Sequence, residues 1–176
     1  MFLWIGCKLP AAYEDEIRGL CLQKNESLGL STVAFSLPQH ISLKISFDCP
    51  DVIPIMACLE HYFARHSPFE VSIKAMEQMG NILWLTVEEN PLLQQLHEDL
   101  DRILETKFQI PQHPFDRSFQ FHSTLFLEDD PEKRRQMASA LASHPFDRRL
   151  QVDTILLGTS PTGKAGAYTV VRQIKL

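Results

Sequence analysis

The chain has 176 residues, 44% of them apolar and 22% charged, with a formal net charge of −5. That length suits one domain or two tightly joined lobes with a real core, and the composition is ordinary for a soluble globular protein. The acidic balance excludes a protein that coats long nucleic acid by bulk attraction, which needs clustered Lys and Arg, but it leaves room for a short phosphorylated ligand in a local site.

Residues 2–8 read as a strand rather than a signal peptide. The start lacks a basic region, and Pro10 and the acidic Glu14-Asp15-Glu16 soon follow. Residues 11–23 have helical spacing through Ile17 and Leu20, and residues 25–39, with Gly29 and Pro38, connect onward. Residues 40–47 alternate cleanly as a strand. Residues 51–65 form a helix with Asp51 as N-cap and Pro54 in its first turn. The alternation of Phe69, Val71, Ile73 and Ala75, the Gly80-Asn81 turn and the run 82–88 make a hairpin. Asn90-Pro91 opens a helix with an apolar face of Leu92, Leu93, Leu96, Leu100, Ile103 and Leu104. Residues 106–118 are a loop, 119–127 a strand, and Asp130-Pro131 opens a helix to about residue 143. Residues 150–157 and 167–175 are strands joined by a loop at 158–166. Strands outnumber helices and hairpins mix with crossovers, which predicts an α+β fold of mainly antiparallel sheet. The second half echoes the first, so residues 1–176 are expected to form one domain of two similar lobes with a central cleft.

The four cysteines, Cys7, Cys21, Cys49 and Cys58, form no C-x-x-C pair and no zinc spacing, as expected for reduced thiols in a cytosolic protein. No apolar run reaches the roughly 18 residues of a membrane span. Cys58 and His61 lie one helical turn apart but lack further ligands at metal-binding spacing. The tetrapeptide His-Pro-Phe-Asp occurs twice, at 113–116 and 144–147, and is assigned to turns.

One short pattern recurs in strand context. His40-Ile41-Ser42-Leu43 and His122-Ser123-Thr124-Leu125 each carry a histidine, a spacer, a hydroxyl residue and a leucine, 82 positions apart. On a strand, residues two apart share a face. His40, Ser42, Lys44 and Ser46 then share one face, with Ile41, Leu43, Ile45 and Phe47 on the other. Gln120, His122, Thr124 and Phe126 share a face in the second strand, opposite Phe121, Leu125 and Leu127, with Ser123 an exception on that apolar side. Two such strands facing a cleft would present two imidazoles and two hydroxyls to one ligand. One neutral imidazole takes a proton and one protonated imidazole gives one, near the working pH of both. The hydroxyls donate to phosphate oxygens as charge builds up. This arrangement requires no metal and no cofactor. A lone H-x-[ST] is a weak signal, and most such histidines are surface or core residues. The matching placement of the pair in the two halves carries the assignment.

On these motifs the chain resembles the 2H phosphoesterase superfamily, and within it the 2′,5′ RNA ligase-like proteins, over nearly its whole length. The resemblance implies a bilobal α+β fold and metal-independent phosphoesterase activity on 2′,3′-cyclic phosphates or 2′,5′-linked nucleotides, with RNA ligation in some members. It implies His40 and His122 as the catalytic pair and Ser42 and Thr124 as phosphate ligands. Hydrolysis in the family runs most easily with His122 as base and His40 as acid, the substrate's orientation deciding the roles. The chain departs from the family pattern at Ser42, where threonine is common, and at Gln39 and Phe121 before the histidines, proline being frequent at the second of these places. The expected partner is an RNA 3′ end or a small nucleotide, with no membrane, and the protein is expected to be a monomer. The competing readings are a phosphodiesterase for another small cyclic or 2′,5′-linked nucleotide, and a non-catalytic binder of phosphorylated ligands.

Four further residues are candidate substrate contacts, each beside a plainer role. Lys44 adds charge to the site or is a solvated strand lysine. Phe126 and Tyr168 stack on a base or fill the core. Arg172, four residues beyond Tyr168 on the same strand face, meets a phosphate or forms a salt bridge. Trp84 is read as core. The loop 159–166 has the wrong glycine order for a P-loop and is a candidate lip over the cleft.

Overall fold

The alternation of the first strand, β1 (Phe2–Lys8), sends Leu3, Ile5 and Cys7 into the core and Trp4 and Gly6 to the opposite face. A computed structural model describes residues 1–176. After β1 come α1 (Ala11–Asn25), β2 (His40–Ser42), β3 (Phe47–Asp48), α2 (Ile53–Phe63), β4 (Phe69–Met79) and β5 (Ile82–Val87). The second half runs α3 (Pro91–Phe108), β6 (His122–Leu127), α4 (Pro131–Leu141), β7 (Arg148–Val152), β8 (Thr154–Ser160) and β9 (Thr169–Lys175). All strand pairs are antiparallel. One sheet has the order β2-β1-β8-β9, with β3 also on β1, and the other β6-β5-β4-β7. The fold is α+β, as the element pattern predicts.

Two of the three caps read from the sequence are formed; at α2 the N-cap position falls on Val52 instead of Asp51, whose carboxylate accepts from the Ile53 N–H at 3.0 Å. The Asn90 side chain accepts from the N–H groups of Leu92 and Leu93 at 3.0 and 3.1 Å. Asp130 does the same for Glu132 and Lys133 at 2.9 and 3.2 Å. Each satisfies donors that a helix start leaves unpaired, and a proline follows where no donor is needed. Leu93, Leu96, Leu100 and Leu104 then bury one face of α3.

Two strand assignments are corrected. The run 40–47 is not one strand: β2 stops at Ser42 and the chain bends before β3. Lys44 causes the break in alternation, because its side chain is drawn inward by two carboxylates. The run 150–157 is also two strands, divided at Asp153. Here the chain leaves the second sheet and enters the first, and β8 continues to Ser160, through part of the expected loop. The corner is fixed by bonds periodicity does not register: Leu176 N–H donates to the Asp153 carbonyl at 3.0 Å and Lys175 to its carboxylate at 3.0 Å.

Candidate functional site

β2 and β6 are each an edge strand of their own sheet, and they lie against one another. This juxtaposition brings His40-Ile41-Ser42 and His122-Ser123-Thr124 together, although nothing local in either motif specifies the other. Of the apolar faces expected to be buried, Ile41, Leu43 and Leu125 are fully enclosed, whereas Ile45, Phe47, Phe121 and Leu127 are only half-buried.

The two histidines have matching surroundings. The Nδ1 of His40 lies 2.7 Å from the Pro38 carbonyl oxygen, and the Nδ1 of His122 lies 2.7 Å from that of Gln120. A carbonyl only accepts, so each Nδ1 carries the hydrogen and each neutral ring keeps its Nε2 lone pair for proton transfer. An indole packs on each ring, Trp4 on His40 at 4.3 Å between centroids and Trp84 on His122 at 4.2 Å. Trp4 lies down because two glycines sit beneath it. A Cβ on Gly6 would be 2.6 Å from the indole, and one on Gly158 would be 2.8 Å away.

Burial lowers the pKa of His40 to about 4 against the carbonyl bond that raises it, and the neighbouring His122 adds to the depression. Burial also lowers His122, partly offset by its bond to Gln120. The consequence for stability has a definite sign. The unfolded chain protonates His40 near 6.5, the folded chain only near 4. Folding therefore binds fewer protons in that window, and stability falls as pH drops from about 6.5 to about 4. The loss from this group is about 3 kcal/mol. Urea midpoints of wild type and His40→Asn at neutral and acid pH check it: the variant is expected to lose less on acidification, and an equal loss would contradict the assignment.

Ser42 is placed to donate. Its Oγ accepts the Trp4 indole N–H at 3.2 Å, which leaves the hydroxyl hydrogen for an anion. Thr124 lies two residues beyond His122 and opposite Trp84 in the β5–β6 pairing. Tyr168 lines the same cleft as Trp4, Ser42, Ser46, Phe119 and His122, and its hydroxyl donates to the Gly163 carbonyl at 3.3 Å.

Three other candidates are not brought into the cleft as free groups. Lys44 borders it but is 2% exposed and paired with both Asp101 and Asp116. Phe126 is fully buried against Phe35 at 5.4 Å. A bulge turns it inward: Leu83 pairs with Phe126 and Trp84 with Thr124, so Leu125 is the extra residue and the alternation inverts after it. Arg172 reaches α2, where its Nε donates to Glu60 at 2.7 Å. A register shift between Leu157 and Gly158 breaks the spacing that linked it to Tyr168.

Sequence reasoning missed the group that joins the motif strands. Gln39 is 3% exposed. Its Nε2 donates to the Thr124 carbonyl at 3.2 Å, and its Oε1 accepts the Ser123 hydroxyl at 2.7 Å. One buried amide thus ties the residue before His40 to the residue after His122. Ser123, the polar exception on an apolar face, was the available signal. Gln39→Leu is expected to lower the activity proposed below through kcat by about tenfold, with KM little changed, because a small misplacement of paired groups is costly. It should also cost about 1–3 kcal/mol by stranding buried polar partners. Steady-state kinetics beside urea unfolding check both, and unchanged kcat would show that the clamp does not position the rings.

Comparison with known proteins agrees with the motif resemblance. A family model described as the 2′-5′ RNA ligase superfamily matches residues 15–162. The chain belongs to this superfamily of 2H phosphoesterases. The fold is similar to that of TT0787 of Thermus thermophilus, with 21% identity, a TM-score of 0.71, and coverage of 100% of this chain and 98% of that one. It is equally similar to E. coli LigT complexed with 3′-AMP, with 20% identity, a TM-score of 0.71, and coverage of 99% and 97%. No curated protein sequence matches. No helix is long and apolar enough to cross a membrane.

Proposed function

We propose that the protein is a phosphodiesterase that opens 2′,3′-cyclic phosphates of nucleotides or RNA ends by two-histidine acid–base catalysis. The observation that carries this reading is the packing of β2 against β6, which brings the two motif histidines near enough to influence one another's charge, with both Nδ1 atoms held by carbonyls. LigT, crystallised with 3′-AMP, ATP and NADP⁺, lends support as a fold relative that takes nucleotides.

His40 is the more enclosed ring and stays neutral, which suits it to the role of base. This reverses the roles that the family resemblance implies. His122 is the less enclosed ring, and an anionic phosphodiester beside it favours its protonated form. In the reaction His40 Nε2 takes a proton from water as the water oxygen bonds to phosphorus. The bond from phosphorus to one ribose oxygen breaks, and His122 gives its proton to that oxygen. The product is a phosphomonoester, and one proton exchanged with solvent restores both rings. Ser42 and Thr124 donate to the non-bridging oxygens, where charge grows in the transition state. Incubation of the protein with the four nucleoside 2′,3′-cyclic phosphates, resolving 2′- from 3′-phosphate products, tests this. One regioisomer formed on a bell-shaped pH profile is expected; binding without turnover by folded protein would replace the enzyme with a binding module.

A further inference from the structure

The charges at the mouths of the cleft bear on how large a substrate can be. On one side, a groove begins at His122: Gln120, whose carbonyl holds the His122 ring, and Thr86, its cross-strand partner, both line it. Glu77, Glu88 and Glu89 complete this wall, and no lysine or arginine lines it. Glu88 is ion-paired with Lys74 at 3.0 Å, which holds its carboxyl below the ordinary range and offsets its charge, so the unpaired negative charge of this wall comes from Glu77 and Glu89. On the other side, the cleft is lined by Trp4, Phe119 and Tyr168, and its only lysine is Lys44, whose charge is taken by Asp101 and Asp116. On the His40 face, Lys8 is the cross-strand partner of His40 and so shares its face. One lysine beside one histidine matches a substrate with a single phosphate.

A polyribonucleotide places one negative charge per residue and is held by Lys and Arg along its path. Here the groove past His122 is lined by carboxylates and by no lysine or arginine. We infer that the substrate is a mononucleotide or very short oligonucleotide bearing one cyclic phosphate, with its nucleoside against the aromatic surfaces, and that the carboxylates beside His122 select against longer chains. This inference rests on the cyclic phosphodiesterase reading above and narrows its substrate class.

The test is a length series: a nucleoside 2′,3′-cyclic phosphate and oligoribonucleotides of about two, four and eight residues with the same end, from about 20 to about 300 mM salt. At low salt kcat/KM is expected to fall about tenfold from the monomer to the longest chain, because like charges repel within a Debye length of about 10–30 Å. The gap should close as salt rises. A Glu77→Gln, Glu89→Gln double variant should narrow it at low salt while leaving the mononucleotide rate unchanged. A rate that climbs with length and falls steeply with salt would overturn the inference.

Binding separates this from failure of the catalytic reading. Trp4 and Trp84 are the only tryptophans in the chain, and each packs on a motif histidine. Quenching of their fluorescence by 3′-phosphorylated mononucleotide and oligonucleotides therefore reports occupancy without turnover. If nothing is hydrolysed but binding weakens with length at low salt, the enzyme reading fails and the size selection stands. If binding tightens with length, or the mononucleotide neither reacts nor quenches, the size selection is wrong.

Discussion

Replacing His40 or His122 by alanine is expected to lower kcat/KM toward a nucleoside 2′,3′-cyclic phosphate by about 10²–10⁴-fold, the usual contribution of one positioned acid or base. The double variant should lose little more than the worse single one, because the two rings act on one proton circuit. The fold should survive, since each ring lies at the cleft side of an edge strand rather than within the core cluster. His40→Gln and His122→Gln keep more of the packing against Trp4 and Trp84 and should be as inactive as the alanine variants. Loss of activity in alanine variants alone would mean that packing, and not proton transfer, had been removed. Either single variant with activity close to wild type would remove that ring from the mechanism.

Lys44→Met is expected to destabilise the protein by about 3–5 kcal/mol, the range found when one partner of a buried ion pair is removed. The lysine is held by Asp101 and Asp116, and other bonds converge there. Asp116 Oδ1 accepts from the Ile45 N–H at 3.1 Å, and Gln112 donates to Asp101 at 2.6 Å. His97 sits between the Leu43 and Asp116 carbonyls at 2.7 and 3.0 Å. It stacks on Phe119 at 4.8 Å between centroids, and Phe119 lines the cleft. The cluster therefore fixes the segment after β2, α3 and the turn at Pro114–Ser118 to one another, and sets a cleft wall. Adding Asp101→Asn and Asp116→Asn to Lys44→Met should recover part of the loss by removing the stranded charges. Equilibrium urea unfolding measures it. A Lys44→Met protein as stable as wild type would show that the lysine balances nothing.

The sequence was most readable where the deciding contacts are local. Asn90-Pro91 and Asp130-Pro131 announce helix starts because cap and donor are two or three residues apart. The two motif strands are visible because each histidine and hydroxyl must share a face with period two. The inner spacing fails at Lys44 and Phe126 for different reasons. Lys44 leaves its strand for carboxylates 57 and 72 positions away, and Phe126 inverts at a bulge that depends on the pairing of β6 with β5. Asp116 belongs to a repeated His-Pro-Phe-Asp that looks like turn chemistry, and it does serve a turn. The His113 N–H donates to its carboxylate at 3.2 Å. Its bond to Lys44 is invisible without the fold. Trp4 left a faint local trace, a glycine two residues on along the same strand face, while Gly158 arrives from the far end of the chain. Gln39 and Ser123 each depart from the local pattern, but that they complete one another is a fact about two edge strands meeting.

The central claim is that two histidines, with the proton positions set by Pro38 and Gln120, open a cyclic phosphodiester. Phosphorus NMR of a nucleoside 2′,3′-cyclic phosphate incubated with chelator-treated protein tests it most directly. The cyclic phosphate signal is expected to be replaced by that of a single phosphomonoester, at a rate with an acid and an alkaline limb. A cyclic phosphate left intact by folded protein at every pH would contradict it.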